Sequence, residues 1–310
     1  LPLYPPIKPF ATGRLPVADG HAIYFEQSGN PDGLPLVFLH GGPGSGCNDF
    51  HHRFTDPARY RAVLFDQRGC GKSTPAGGLE HNHTAALVED IERLRAHLGI
   101  QRWVVHGGSW GAALAIEYAK RYRQRVLALL LRGSFLARGE DLRWFAAPEG
   151  VARDLPEAHA RLCAALELPA GSDPLPALYR RVLEERGDVD AALAAWNDWE
   201  CAVMGLAASG VANRQAKRIH LHYCRNGFFL GDRGVLDGLE SLAGLAVTLV
   251  HGDADRVCRF STAELLRQRL PGSRLLRVAG AGHSLSEVPL QKAIRVALDG
   301  LAADLSAVGG

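Results

Sequence analysis

Gly107-Gly108-Ser109-Trp110-Gly111 is a G-x-S-x-G pentapeptide lying where an apolar run hands over to a helical pattern, a junction that few folds accommodate. Trp103-Val104-Val105-His106 before it reads as a short buried strand, and Trp110 to Lys120 reads as the helix behind it. Gly107 and Gly111 carry no Cβ, so the turn can be sharp and the helix can lie close to neighbouring strands while Ser109 Oγ is lifted into the open. The helix N-terminus then faces any oxyanion formed there. Ser109 is therefore a candidate nucleophile.

Further apolar runs recur at intervals: Leu36 to Leu39, Ala62 to Phe65, Val126 to Leu131 and Val247 to Val250. They are continuous rather than alternating, as strands buried on both faces must be. Between the second run and Val104-Val105, Leu87, Ile91, Leu94 and Leu98 form one stripe over Thr84 to His97, and Gly99 follows as a stop. This reads as a crossover helix, and strands alternating with helices predict a doubly wound, mostly parallel α/β sheet with functional loops at the strands' C-terminal ends. Gly20 to Glu26 alternates as an early strand, Arg274 to Val278 reads as a late one, and a last helix is expected from about Pro289.

At 310 residues the chain exceeds the usual single-core size of about 150, so an inserted piece or a second domain is expected. From 137 to 237 alanine, leucine, tryptophan and charge dominate, without a buried strand run. The expected division is a core domain over 1–136 and 238–310 with a helical cap over 137–237. A net charge of +2 selects no partner, and no basic run with interleaved aromatics points to nucleic acid. No apolar stretch approaches the roughly 20 residues of a membrane span, and Leu1-Pro2-Leu3-Tyr4-Pro5-Pro6 lacks a signal peptide's apolar centre. Six widely spaced cysteines without a C-x-x-C pair read as reduced, mostly buried thiols, and the expected location is the cytoplasm.

A serine hydroxyl becomes a good nucleophile only when a base takes its proton and a third group orients that base. In a sheet of this kind the chain order is Ser, then Asp or Glu, then His. The loop Ala279-Gly280-Ala281-Gly282-His283-Ser284 makes His283 the preferred base, with His251, His220 and His222 as competitors. A lone histidine is usually structural; its place after a late strand favours His283. For the acid, Asp255 in His251-Gly252-Asp253-Ala254-Asp255 is preferred to Asp253, which could instead hold the turn. His40-Gly41-Gly42-Pro43-Gly44 follows an early strand directly, so the oxyanion donors are assigned to the Gly42 and Trp110 N–H groups. Gly71-Lys72-Ser73 resembles the end of a phosphate loop, but Asp66 stands five positions before Gly71 where glycine is needed. Asp66 to Gly71 is given a supporting structural role, and the chemistry calls for neither metal nor cofactor.

With His40-Gly41-Gly42-Pro43-Gly44, Asp66-Gln67-Arg68-Gly69-Cys70-Gly71 and the pentapeptide around Ser109 all in place, the chain resembles the proline iminopeptidases, serine peptidases of the α/β-hydrolase fold. The match runs from Tyr4 to Gly133, and the family's His-Gly-Arg-Tyr-Asp and Gly-His-Ser motifs match His251 to Asp255 and Gly282 to Ser284. The resemblance implies removal of N-terminal proline from small peptides, with cap carboxylates binding the free amino group. One of these matches Glu200 in Trp196-Asn197-Asp198-Trp199-Glu200. The family's Ile-Glu-Asn-His-Tyr-Phe appears as Ile219-His220-Leu221-His222-Tyr223-Cys224, so a second glutamate is His220 and a pocket phenylalanine is Cys224. Phe135 is retained, and Phe145 stands where tyrosine is usual. Two rivals stand beside this expectation: a hydrolase of esters or amides lacking a free amine, and a silent hydrolase fold used for binding.

Overall fold

The computed structural model describes residues 2–208 and 212–308; residues 209–211 of the expected cap lie outside the described residues. Its eight strands are β1 (Ala11–Pro16), β2 (Ala22–Gly29), β3 (Leu34–Leu39), β4 (Tyr60–Phe65), β5 (Trp103–Gly108), β6 (Val126–Arg132), β7 (Ala246–Gly252) and β8 (Arg274–Val278). They form one sheet in the order β1-β2-β4-β3-β5-β6-β7-β8. β2 pairs antiparallel with β1 and β4, and the remaining pairs are parallel.

The continuous apolar runs are explained by burial on both faces. Val37, Leu39, Val63, Val105, Leu129 and Leu131 pack toward α1 (Thr84–His97) and α2 (Trp110–Arg121). Their neighbours Leu36, Phe38, Leu64, Val104 and Leu130 pack on the opposite face. Each such side chain contributes about 1.5–3 kcal/mol by leaving water. β8 departs from the expectation of a buried run, because it is the last strand and its residues are half-buried or exposed. α1 spans the predicted residues; His83 Nδ1 caps it by accepting from the Ala86 N–H at 3.2 Å, and Gly99 at φ +67° leads the chain away.

Between β6 and β7 the chain is helical: α3 (Gly139–Ala146), α4 (Pro156–Ala165), α5 (Leu175–Leu178), α6 (Val189–Val203) and α7 (Arg214–Arg225). Asp188 caps α6 and Asn213 caps α7, each side chain accepting from a backbone N–H three residues on. Leu162, Leu178, Leu193, Trp196, Trp199 and Leu221 close a separate apolar interior there. α7 belongs to two interiors: Leu221 enters this one, while Ile219 and Tyr223 enter the core beside the sheet. α8 (Phe260–Arg269) and α9 (Val288–Val308) complete the chain, with Leu290 and Ile294 of α9 covering the second face of the sheet. No helix is long and apolar enough to cross a membrane among the described residues.

Candidate active site

Ser109 sits between β5 and α2 at φ +58°, ψ −123°, a conformation that costs a non-glycine residue about 1–3 kcal/mol. Its neighbours impose it. A Cβ on Gly107 would run into the Gly111 carbonyl, and one on Gly111 into the Leu39 carbonyl, so strand, turn and helix pack backbone to backbone. The Ser109 N–H donates to the Arg132 carbonyl at 2.8 Å, which ties the turn to β6. Trp110 is the first residue of α2, so its N–H has no acceptor within the helix.

The loops after β7 and β8 bring Asp255 and His283 together. His283 Nδ1–H donates to Asp255 Oδ2 at 2.7 Å, leaving Nε2 as the acceptor nitrogen. Asp255 Oδ1 accepts from the Val257 and Cys258 N–H groups, each at 2.9 Å, so the carboxylate cannot swing. Burial pushes the Asp255 carboxyl up, but the charge and hydrogen bond of His283, with the charge of His251 and the Cys258 amide, outweigh it and hold it below its usual value. Asp253 is engaged elsewhere, accepting from Arg277 at 2.8 Å and from the Gly280 N–H at 2.7 Å.

The competing histidines are also accounted for. His251 is wholly buried, bound through Nε2 to the Cys258 carbonyl at 2.8 Å and through Nδ1 to the Ser134 N–H at 3.2 Å. His222 donates to the Asn82 carbonyl at 3.0 Å. His283 lines the same cavity as Ser109.

The loop after β3 runs along the nucleophile candidate: a Cβ on Gly41 would lie 3.3 Å from Ser109 Cβ. Gly42, at φ +110°, follows in the cavity wall. Gln67 braces this loop, donating to the His40 carbonyl at 2.9 Å while its Oε1 accepts from the Trp110 indole at 3.0 Å. The Gln67 N–H also donates to His40 Nε2 at 3.1 Å. Asp66 accepts from the Cys47 and Lys72 N–H groups, and Arg68 pairs with Asp90 in the interior. This is the supporting role expected of the segment. α7 rests on the same loop, since a Cβ on Gly44 would run into the Ala216 carbonyl.

A cavity of about 410 Å³ opens above these groups. Its floor includes Ser109, His283, Gly41 and Gly42; its roof includes Phe145, Met204, Glu200 and His220. Phe145 is held edge-on against Trp196 with ring centroids 5.7 Å apart. Two pocket expectations need correction. Phe135 and Cys224 are not among the lining residues: Phe135 packs edge-on against Phe228 at 4.8 Å, and Cys224 is buried in the core beside the sheet.

Two groups escaped the sequence reading. Arg132, at the end of β6, is buried beneath the site; its Nη1 donates to the His283 carbonyl at 2.9 Å and lies 3.4 Å from His283 Nε2. Lys217 of α7 enters the cavity and pairs with Glu200, whose other oxygen accepts from His220 Nδ1 at 2.8 Å. For the first, the sequence showed only an arginine closing an apolar run, which does not distinguish a buried role from an exposed strand end. A lysine on a strongly amphipathic helix carried none.

The chain matches the family model for the α/β hydrolase fold over residues 35–289. It is 40% identical to a probable proline iminopeptidase of Leptolyngbya boryana, covering 96% of each chain. It is 43% identical to a proline iminopeptidase of Xanthomonas citri, covering 97% of this chain and 99% of the relative. The crystal structure of a proline iminopeptidase from Mycobacterium smegmatis superposes with a TM-score of 0.62 at 21% identity, covering 95% of this chain and all of that one, a likeness of fold. Strained Ser109, the paired Asp255 and His283, and 40% and 43% identity to these relatives over nearly the whole chain agree: the chain belongs to the proline iminopeptidase family of α/β hydrolases.

Proposed function

We propose that the chain is a serine aminopeptidase that releases N-terminal proline from small peptides. The observation that carries this reading is that the Glu200 carboxylate shares one cavity with Ser109 and His283, so a free amine can be held while its own carbonyl is attacked.

In the proposed reaction Ser109 Oγ attacks the first peptide carbonyl. His283 Nε2 takes the hydroxyl proton and returns it to the leaving amine, and Asp255 holds the imidazole in the required tautomer. The Ser109–His283 hydrogen bond forms in the substrate complex, as such bonds commonly tighten there. The Gly42 and Trp110 N–H groups face the oxyanion, each worth about 3 kcal/mol to the transition state. Water, activated by His283, then releases the acyl group. Phe145 supplies the aromatic wall for the pyrrolidine ring, and the helices from α3 to α7 act as a cap over the site. A cytoplasmic location fits six unpaired cysteines, five of them buried.

The test compares proline arylamide with its N-acetylated form. Turnover of the free-amine substrate with loss of the blocked one supports the reading. Equal turnover of the two replaces it with an esterase or amidase indifferent to the amine, and failure of a fluorophosphonate to label Ser109 replaces it with a silent fold.

A further inference from the structure

Glu200 is already occupied. Lys217 Nζ pairs with its Oε2 and His220 Nδ1 with its Oε1, and all three side chains line the cavity over Ser109. None is a surface pair: side-chain exposure is 10% for Glu200, 17% for Lys217 and 16% for His220. Lys217 and His220 are one turn apart on α7 and reach toward the same carboxylate on α6.

An ammonium arriving from a substrate therefore meets a second ammonium at its only described acidic partner in the cavity. A carboxylate has lone pairs enough for several donors, but two like charges at hydrogen-bond distance from one oxygen repel strongly where water is excluded. We propose that Lys217 is an internal stand-in for the substrate's amino group, which binds Glu200 only once Lys217 has swung out or lost its proton. Lys217 is thus a specificity-determining residue that sets the affinity for unblocked substrates. This rests on the aminopeptidase reading given above.

Loss of the proton is within reach, because burial pulls the Lys217 ammonium down to about 8. The other titratable groups around the cavity are His40, His51, Arg132, Glu200, His220 and His283. His40 and His51 are held low by burial, His51 to about 4, so both are neutral at working pH. Arg132 stays charged, although burial lowers it. A site that is competent only in the fraction of molecules with Lys217 withdrawn has an apparent dissociation constant raised by the inverse of that fraction.

The experiment measures KM for proline arylamide from pH 6.5 to 9.5 in the wild type, Lys217→Met and Lys217→Arg. Methionine keeps the apolar stem and removes the charge; arginine keeps a charge that cannot be lost. Lys217→Met is expected to lower KM at pH 7 by about tenfold, leaving kcat within about twofold. The wild-type KM should approach that of Lys217→Met above pH 8, and Lys217→Arg should stay high throughout. Titration of the substrate's own amine is common to all three proteins, so their ratios isolate Lys217. Circular dichroism establishes that each variant is folded. An unchanged or raised KM in folded Lys217→Met overturns the proposal while leaving the aminopeptidase reading intact. Equal wild-type turnover of N-acetylprolyl arylamide overturns that reading instead, and the proposal with it.

Discussion

Arg132 Nη1 donates to the main-chain carbonyl of His283 at 2.9 Å, so a charge buried at the end of β6 holds the loop carrying the proposed base. Gly108 makes room for it: a Cβ there would stand 2.6 Å from the guanidinium. Arg132→Met removes the donor and leaves a buried carbonyl unpaired, at about 1–3 kcal/mol. We expect kcat to fall roughly 10- to 100-fold with KM nearly unchanged, because misplacing the imidazole affects the chemical step more than binding. Gly108→Ala should act in the same direction. A loss expressed in KM alone would assign Arg132 to substrate binding instead.

Ser109 combines a proposed nucleophile with a strained backbone, and the two roles separate on substitution. Ser109→Ala and Ser109→Gly should both lower kcat on the order of 10⁶-fold. Only glycine relieves the conformation at φ +58°. Ser109→Gly should therefore melt at least about 2 °C above Ser109→Ala. Identical melting temperatures would show that the turn stores no strain.

Asp255 links the site to acid stability. Its folded-state pKa is depressed, so the stability it contributes is complete above its unfolded value of about 4 and is lost as pH falls through the lower folded value. Urea midpoints at pH 6 and pH 3 should converge between wild type and Asp255→Asn, the wild type losing more. At pH 7 the same variant should lose about 10⁴-fold in kcat. Parallel urea midpoints across this range would count against the linkage.

Gln67 spans His40 and Trp110, tying the loop that carries one proposed oxyanion donor, Gly42, to the residue whose N–H is the other. Gln67→Glu keeps the shape but cannot donate to the His40 carbonyl. It should destabilise the fold by about 1–3 kcal/mol and lower kcat more than KM. Gln67→Leu, which loses both bonds, should lose at least as much kcat; full activity in either variant would show that the loop stands without this brace.

What was legible in the sequence was local. The turn at Ser109 declares itself because glycines, an apolar strand and a helix stand side by side, and α1 because its apolar stripe is followed directly by the Gly99 stop. Chain order pointed to His283 and to the loop after β7, and the position within Gly252-x-x-Asp with the family motif chose Asp255 over Asp253. The burial of Arg132 was not legible, since it depends on a loop 151 residues away, and neither was the contact between Lys217 and Glu200, which requires two helices to be placed first. Phe135 shows the opposite failure: a residue retained at a pocket position turns toward Phe228, a neighbour in space and not in sequence.

α7 is gripped from two directions, by Leu221 in one interior and by Ile219 and Tyr223 in another, and its first turn leans on Gly44. Such a helix behaves as a fixed rack on which the cavity-facing letters can be exchanged while the backbone stays put. With the roles proposed for Lys217 and Glu200, drift at positions 217 and 220 would retune which peptides are chosen, generation by generation, without the reacting centre having to be rebuilt.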